Sequence, residues 1–137
     1  RPWQHVLEPL AGYLMLAERL YREKDPWAGA WNFGPRVQDA VPVATLANMV
    51  FRLWGKGGWQ TDTDQNQPHE TQYLALDSSK ARHTLGWRPQ LSLEEAVGLT
   101  VSWYLQAVSV EPRHDMYKAT AGQIADYESR LKTLPHE

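Results

Sequence analysis

The chain has no cysteine. That excludes disulfides, thiolate metal sites and a cysteine nucleophile, and it fits a reducing compartment, so the cytoplasm is the expected location. No apolar run approaches the ~20 residues a helix needs to cross a bilayer, and no signal segment opens the chain. An excess of one charge is missing too. Against 14 Lys and Arg stand 16 Asp and Glu, a net charge of −2, which leaves no broad basic field for nucleic acid or an anionic membrane. No group of His and carboxylates has metal-ligand spacing. There is no internal repeat and no low-complexity tract.

What is present suits one globular domain: 137 residues, 42% hydrophobic and 22% charged, enough to bury a real core. Seven Trp are unusual for this length. Trp31, Trp54, Trp87 and Trp103 fall on apolar faces or at helix stops, where packing is the expected role, while Trp3, Trp27 and Trp59 fall in loops or at edges. The opening Arg1-Pro2-Trp3 lacks the Met and loose polar residues of a usual start, so a piece of a longer protein is expected.

The most informative stretch runs from Tyr73 to Tyr104. Tyr73 to Leu76 is a short apolar run that reads as a strand. Asp77 can cap a helix from Ser78 to about Leu85. Gly86 can take the positive φ that ends it, and Trp87 follows as a buried plug. Pro89 forbids continuation. Ser92 and Glu95 form a capping box. From Leu93 the apolar positions Val97, Val101, Tyr104 and Val108 recur at the spacing of one buried helix face. Asp77 and Lys80 could be mistaken for an acid–base pair, but their spacing fits a cap and a surface lysine.

Elsewhere, a helix is expected from about Leu7 to Arg22, with Leu7, Leu10, Leu14, Ala17 and Tyr21 on one face and Tyr13, Leu16 and Leu20 widening it. Pro9 is tolerated there only because it lies in the first turn. Ala30 to Phe33 reads as a strand stopped by Gly34-Pro35. A second helix spans about Val43 to Trp54, and Trp59 to Thr61 reads as an edge strand. Ser109 to Lys118 reads as irregular, and a last helix, the least anchored, runs from about Thr120 to Leu131. The fold class is therefore α+β: four or five helices with short strands near Trp31, Trp59 and Tyr73.

The run from Leu76 to Tyr104 resembles the C-terminal signature of extended short-chain dehydrogenase/reductases that act on nucleotide sugars: an Asp, two small residues, Lys-Ala, a Leu-Gly-Trp stop, a Pro, and a helix ending in Trp-Tyr. The opening RPWQHVLEPLAGYLMLAERL and the segment WNFGP narrow the resemblance to the 4,6-dehydratases that act on CDP-glucose. The resemblance covers nearly the whole chain but corresponds to only the last part of such an enzyme. It implies that residues 1–35 are the tail of a Rossmann domain and residues 36–137 most of the substrate lobe. It also implies a lyase that uses NAD catalytically: C4 of the sugar is oxidised, water leaves across C5 and C6, and hydride returns at C6.

Three substrate-binding residues follow from the resemblance. Arg1 opens the Arg-x-Trp-x-x-Val motif whose Arg contacts the substrate diphosphate, a task suited to a planar, permanently charged guanidinium. His69 matches the His of a pattern that meets phosphates and base, although the Arg of that pattern has no counterpart and Asn66 and Gln67 stand at or near its place. Tyr117 lies where some relatives put a tail aromatic near the nucleotide. His5 is expected to be a packed residue. No catalytic residue is expected in this chain. The Gly-rich dinucleotide fingerprint and the Tyr-x-x-x-Lys pair are both absent, so the chain alone should be inactive and NAD should belong to the N-terminal Rossmann portion. Other readings are another nucleotide-sugar dehydratase, epimerase or reductase, or a stand-alone binding module. An exposed apolar patch around the first helix and Trp31 is expected, with self-association as its consequence.

Overall fold

The computed structural model describes residues 1–60, 74–109 and 115–132. Four α-helices organise them: α1 (Leu7–Glu23), α2 (Val43–Trp54), α3 (Leu93–Val108) and α4 (Met116–Lys132). The ends of these helices follow from local chemistry. Past α1, Lys24 takes a positive φ of 58° and its amide donates to the Leu20 carbonyl, with Pro26 next to block continuation. Gly55, at φ 81°, closes α2 in the left-handed conformation that costs glycine nothing. At the start of α3 the Ser92 hydroxyl accepts the Glu95 amide at 3.3 Å, and the Glu95 carboxylate accepts the Ser92 amide at 2.8 Å. This is the capping box the sequence promises.

Glu95 also takes Arg130 of α4 at 2.8 Å. The Ser92 amide, the Arg130 guanidinium and the Ser92 hydroxyl together pull its pKa down from 4.5 to about 2. A carboxyl with a depressed folded-state pKa contributes stability that is complete above its unfolded value and fades as pH falls toward the folded one. The stability gap between the wild type and Glu95→Gln should therefore be full above about pH 4.5 and shrink toward about pH 2. Urea melts across that range check this. Ser92→Ala should cost about 1 kcal/mol at neutral pH.

Between α2 and α3 the chain makes a tighter unit. Asp77 accepts the Ser79 amide at 2.8 Å, and hydrogen bonding from the Ser79 side chain first, and from this amide second, lowers its pKa. The turns from Ala81 to Leu85 then widen into a π-helical segment. Gly86 (φ 76°) reverses the chain and Trp87, 1% exposed, plugs the core. Around it lie Phe33, Ala81 and Leu85, with Met15 and Leu16 of α1 packed against them. Trp87 and Phe33 meet edge to face at 5.2 Å. A second cluster joins Leu7 and Ala11 of α1, Leu91, Ala96 of α3 and Tyr127 of α4. A third seats Leu46, Met49, Val50 and Trp54 of α2 on Leu93, Val97 and Val101 of α3.

The expected short strands are not found among the described residues; Thr61 lies outside them. Among the described residues the ladder-type contact is a single isolated bridge between Pro2 and Ala40. Near Trp31 the physical reason is visible, because side chains take the backbone groups that a ladder would use. Lys80 donates to the Ala30 carbonyl (3.0 Å), Gln4 to that of Phe33 (2.9 Å), Asn32 to that of Asp77 (3.2 Å), and the Gly34 amide donates to Ser78 (2.8 Å). The segments around residues 30–34 and 77–80 are thus tied together without pairing as strands. Leu74 and Leu76 are exposed and join no ladder among the described residues; Tyr73 lies outside them. Trp59 instead sends its indole N–H to Asn48 of α2 at 2.8 Å.

The last helix starts four residues before its expected position. Asp115 supplies the reason: its carboxylate accepts the Lys118 amide at 3.3 Å and its carbonyl that of Ala119, which is an N-cap. Tyr117 is therefore helical, not part of an irregular tail. Tyr127 is the one buried residue of α4, but α2 has none, so burial does not single out α4 as the least anchored helix.

Candidate functional site

The segment Arg1–Val6 is clipped to the loop before α2. The terminal amine of Arg1 donates to the Val41 carbonyl at 3.0 Å, and the Trp3 indole donates to the same oxygen at 3.1 Å. The bridge from Pro2 to Ala40 lies between them. This fixes the backbone of Arg1 and leaves its side chain only partly buried. Arg36, another cation in this region, is committed to structure: it holds Asp39 at 3.0 Å and the Leu91 carbonyl at 3.0 Å.

Of the three residues expected to bind substrate, Arg1 sits on this clip and Tyr117 sits on the first turn of α4, 82% exposed. No hydrogen bond or ring contact brings Tyr117 to Arg1. His69 lies outside the described residues, as do Asn66 and Gln67. His5 is buried, as expected for a packed residue; its Nδ1 accepts the Leu7 amide at 3.3 Å, and desolvation lowers its pKa. Lys80 is not an acid–base partner of Asp77. It lies 4.1 Å from the centre of the Trp31 ring, which stacks on Trp27, and Arg19 lies over the Trp27 ring.

The most concentrated polar site is one that sequence reasoning missed. Glu8 is 1% exposed. Its carboxylate accepts the amides of Gln90 (2.9 and 3.1 Å) and Leu91 (2.7 Å) and the hydroxyl of Tyr127 (2.6 Å). Its carbonyl accepts the Trp87 indole at 3.0 Å. Burial, with the hydrogen bond and negative charge of Glu8, pushes the Tyr127 hydroxyl far above the ordinary phenol range. Every lone-pair direction used here meets a protein donor, so Glu8 is a fastening between α1, the turn before α3, and α4. The signal for it was a carboxylate between Leu7 and Pro9 in a strongly apolar helix start, which periodicity reads as an ordinary acidic first turn.

Two hollows flank the Arg1–Val6 segment. One, of about 180 Å³, is lined by Trp3, Gln4 and the facing sides of α2 and α3. A larger cleft of about 480 Å³ lies between Gln4–Leu7, α3 and α4. Among the described residues there is no group of three His, Asp or Glu able to hold a metal, and no helix long and apolar enough to cross a membrane. The outward side of α1 carries Leu10, Tyr13, Leu14 (73% exposed) and Tyr21 (88% exposed), and Leu74 and Leu76 add to the exposed apolar surface. The patch expected on the first helix is thus present, while Trp31 is half-buried in its stack.

No protein-family model matches the chain. Among curated proteins it is 45% identical over 130 residues to CDP-glucose 4,6-dehydratase of Salmonella typhimurium, a match covering 94% of this chain and 35% of that protein. It is 38% identical over 66 residues to GDP-L-fucose synthase 1 of Arabidopsis thaliana, covering 48% of this chain and 19% of that protein. It is 46% identical over 37 residues to dTDP-glucose 4,6-dehydratase of Xanthomonas campestris, covering 27% and 10%. The chain therefore spans about a third of the length of the Salmonella enzyme it matches. Nearly all of this chain is similar to CDP-glucose 4,6-dehydratase, with shorter stretches similar to other nucleotide-sugar enzymes, the relationship that the Leu76-to-Tyr104 signature, the opening segment and WNFGP together point to.

Proposed function

We propose that this chain is the substrate-side, C-terminal portion of an NAD-dependent CDP-glucose 4,6-dehydratase, with residues 1–35 closing a Rossmann domain and residues 36–137 forming most of the substrate lobe. The observation that carries the reading is the 45% identity over 94% of the chain. In this reading Arg1 forks across the diphosphate of the nucleotide sugar, beside the Pro2–Ala40 bridge and the Trp3–Val41 hydrogen bond. His69 serves the nucleotide from the loop before residue 74, and Tyr117 offers a ring at the start of α4. The residues present do not fit NAD. A dinucleotide pyrophosphate needs a glycine-rich turn opening a helix, whereas α1, α2, α3 and α4 are preceded by Val6, Pro42, Ser92 and Asp115. The cofactor belongs to the preceding part of the enzyme, and no redox step is assigned to this chain.

The test is a chimera that joins this chain to the front two thirds of the Salmonella enzyme, titrated calorimetrically with CDP-glucose, dTDP-glucose and GDP-mannose. CDP-glucose is expected to bind tightest, and Arg1→Ala to weaken it by about tenfold or more, the weight of a charge-assisted hydrogen bond. Preference for either other nucleotide sugar overturns the assignment.

The same reading gives the outward side of α1 a role as the face on which the preceding portion packs. Alone, the chain should self-associate through it. Sedimentation should show association that rises with concentration and is abolished by Leu14→Glu with Tyr21→Glu. A clean wild-type monomer at high concentration would count against it.

A further inference from the structure

We infer that the cleft between Gln4–Leu7, α3 and α4 is a second binding site, for an uncharged, flat small molecule that carries a carbonyl acceptor. Its volume of about 480 Å³ lies in the range of small-molecule sites. None of its lining residues is Asp, Glu, Lys or Arg, so nothing there would compensate the burial of a phosphate or carboxylate. That separates it from a diphosphate site.

The polar groups of the lining decide what a ligand must offer. The Trp103 indole is spent on Thr120 (2.9 Å), and the Thr120 hydroxyl on the Met116 carbonyl (2.8 Å). The Thr100 hydroxyl goes to the Ala96 carbonyl (2.8 Å), and the Gln123 amide nitrogen to that of Leu99 (2.8 Å). His5 is different. Because its Nδ1 accepts the Leu7 amide, the ring proton sits on Nε2, and among the described residues no acceptor meets it. Tyr104, at the exposed rim, holds another hydroxyl with no hydrogen-bond partner among the described residues. The cleft thus offers apolar walls from Val6, Leu7, Trp103 and Ile124 and, at His5 and Tyr104, donors awaiting an acceptor, while the partnerless Oε1 of Gln4 is itself buried. Desolvation lowers the His5 pKa.

The probe is 7-methoxycoumarin, uncharged and flat with a lactone carbonyl, titrated into the 137-residue chain and followed through the Trp103 indole and His5 ring resonances. Saturable shifts at both are expected at submillimolar concentration. Ile124→Trp, which fills the cleft from α4, should abolish them. His5→Phe should weaken binding by about tenfold, the loss of one hydrogen bond. The anionic coumarin-3-carboxylate should bind at least about tenfold more weakly, because its charge has no partner there. If His5→Phe does not fold, Ile124→Trp decides, since residue 124 is on the surface. No shift at 1 mM probe (roughly the weak limit of specific binding), binding that survives Ile124→Trp, or equal binding of the carboxylate overturns the proposal. Repeating the titration on the chimera with CDP-glucose present separates this site from the nucleotide-sugar site: the two should bind independently, and competition would show that they are one.

Discussion

Glu8→Ala is expected to be the most damaging single substitution in the chain, costing roughly 3 kcal/mol or more, the scale for leaving several buried donors without their acceptor. The size follows from what is left behind. The amides of Gln90 and Leu91 and the hydroxyl of Tyr127 all donate to this carboxylate in a place water does not reach. An orphaned buried donor costs about 1–3 kcal/mol, and three are orphaned together. For a domain whose whole stability is on the order of 5–15 kcal/mol, that approaches unfolding. Tyr127→Phe should be milder, about 1–2 kcal/mol, because the carboxylate keeps its two amide donors. A urea-denaturation double-mutant cycle isolates the pair. If Glu8→Ala melts within about 1 kcal/mol of wild type, the hub is not what joins α1 to α4.

Gly12→Ala sets two rules against each other. Helix propensity favours alanine inside a helix by about 0.8–1.0 kcal/mol, and α1 is a long helix. Yet a Cβ at Gly12 would lie 2.3 Å, 2.5 Å and 2.8 Å from Phe33 ring carbons. Phe33 cannot slide away: Trp87 stands edge-on at 5.2 Å on one side and Tyr13 at 5.4 Å on another. Overpacking of a closed core costs about 1–3 kcal/mol, so the clash outweighs the propensity gain. Gly12→Ala should lower the thermal midpoint by several degrees (roughly 4–8 °C per kcal/mol for a small domain). A rise would mean that α1 does not pack on Phe33 so closely.

These two residues also mark the limits of what the sequence revealed. Helix positions were legible because each is set by nearest neighbours: the Ser92–Glu95 box, the Gly55 and Gly86 reversals and the apolar repeat of α3 can all be read within a few residues. The start of α4 was missed by four residues because Asp115 was read as irregular chain when it is a cap. The strands failed for a non-local reason. Extended, apolar residues such as Ala30–Phe33 become a strand only when a neighbour supplies ladder hydrogen bonds, and here Gln4, Asn32, Ser78 and Lys80 supply side chains instead. The role of Glu8 was hidden for the same reason, since its partners lie 82, 83 and 119 residues away. Of the expected site, Arg1 is placed on a defined clip, Tyr117 on an exposed helical turn, and His69 falls outside the described residues.

The distance between Glu8 and Tyr127 has a consequence for the order of events on the ribosome. Glu8 is synthesised 119 residues before the hydroxyl it will receive. Until then its carboxylate can have at most the Gln90 and Leu91 amides, and the last of its donors is missing. The closing step of assembly must therefore wait until translation has passed residue 127, and loop closure over so long a span makes it slow.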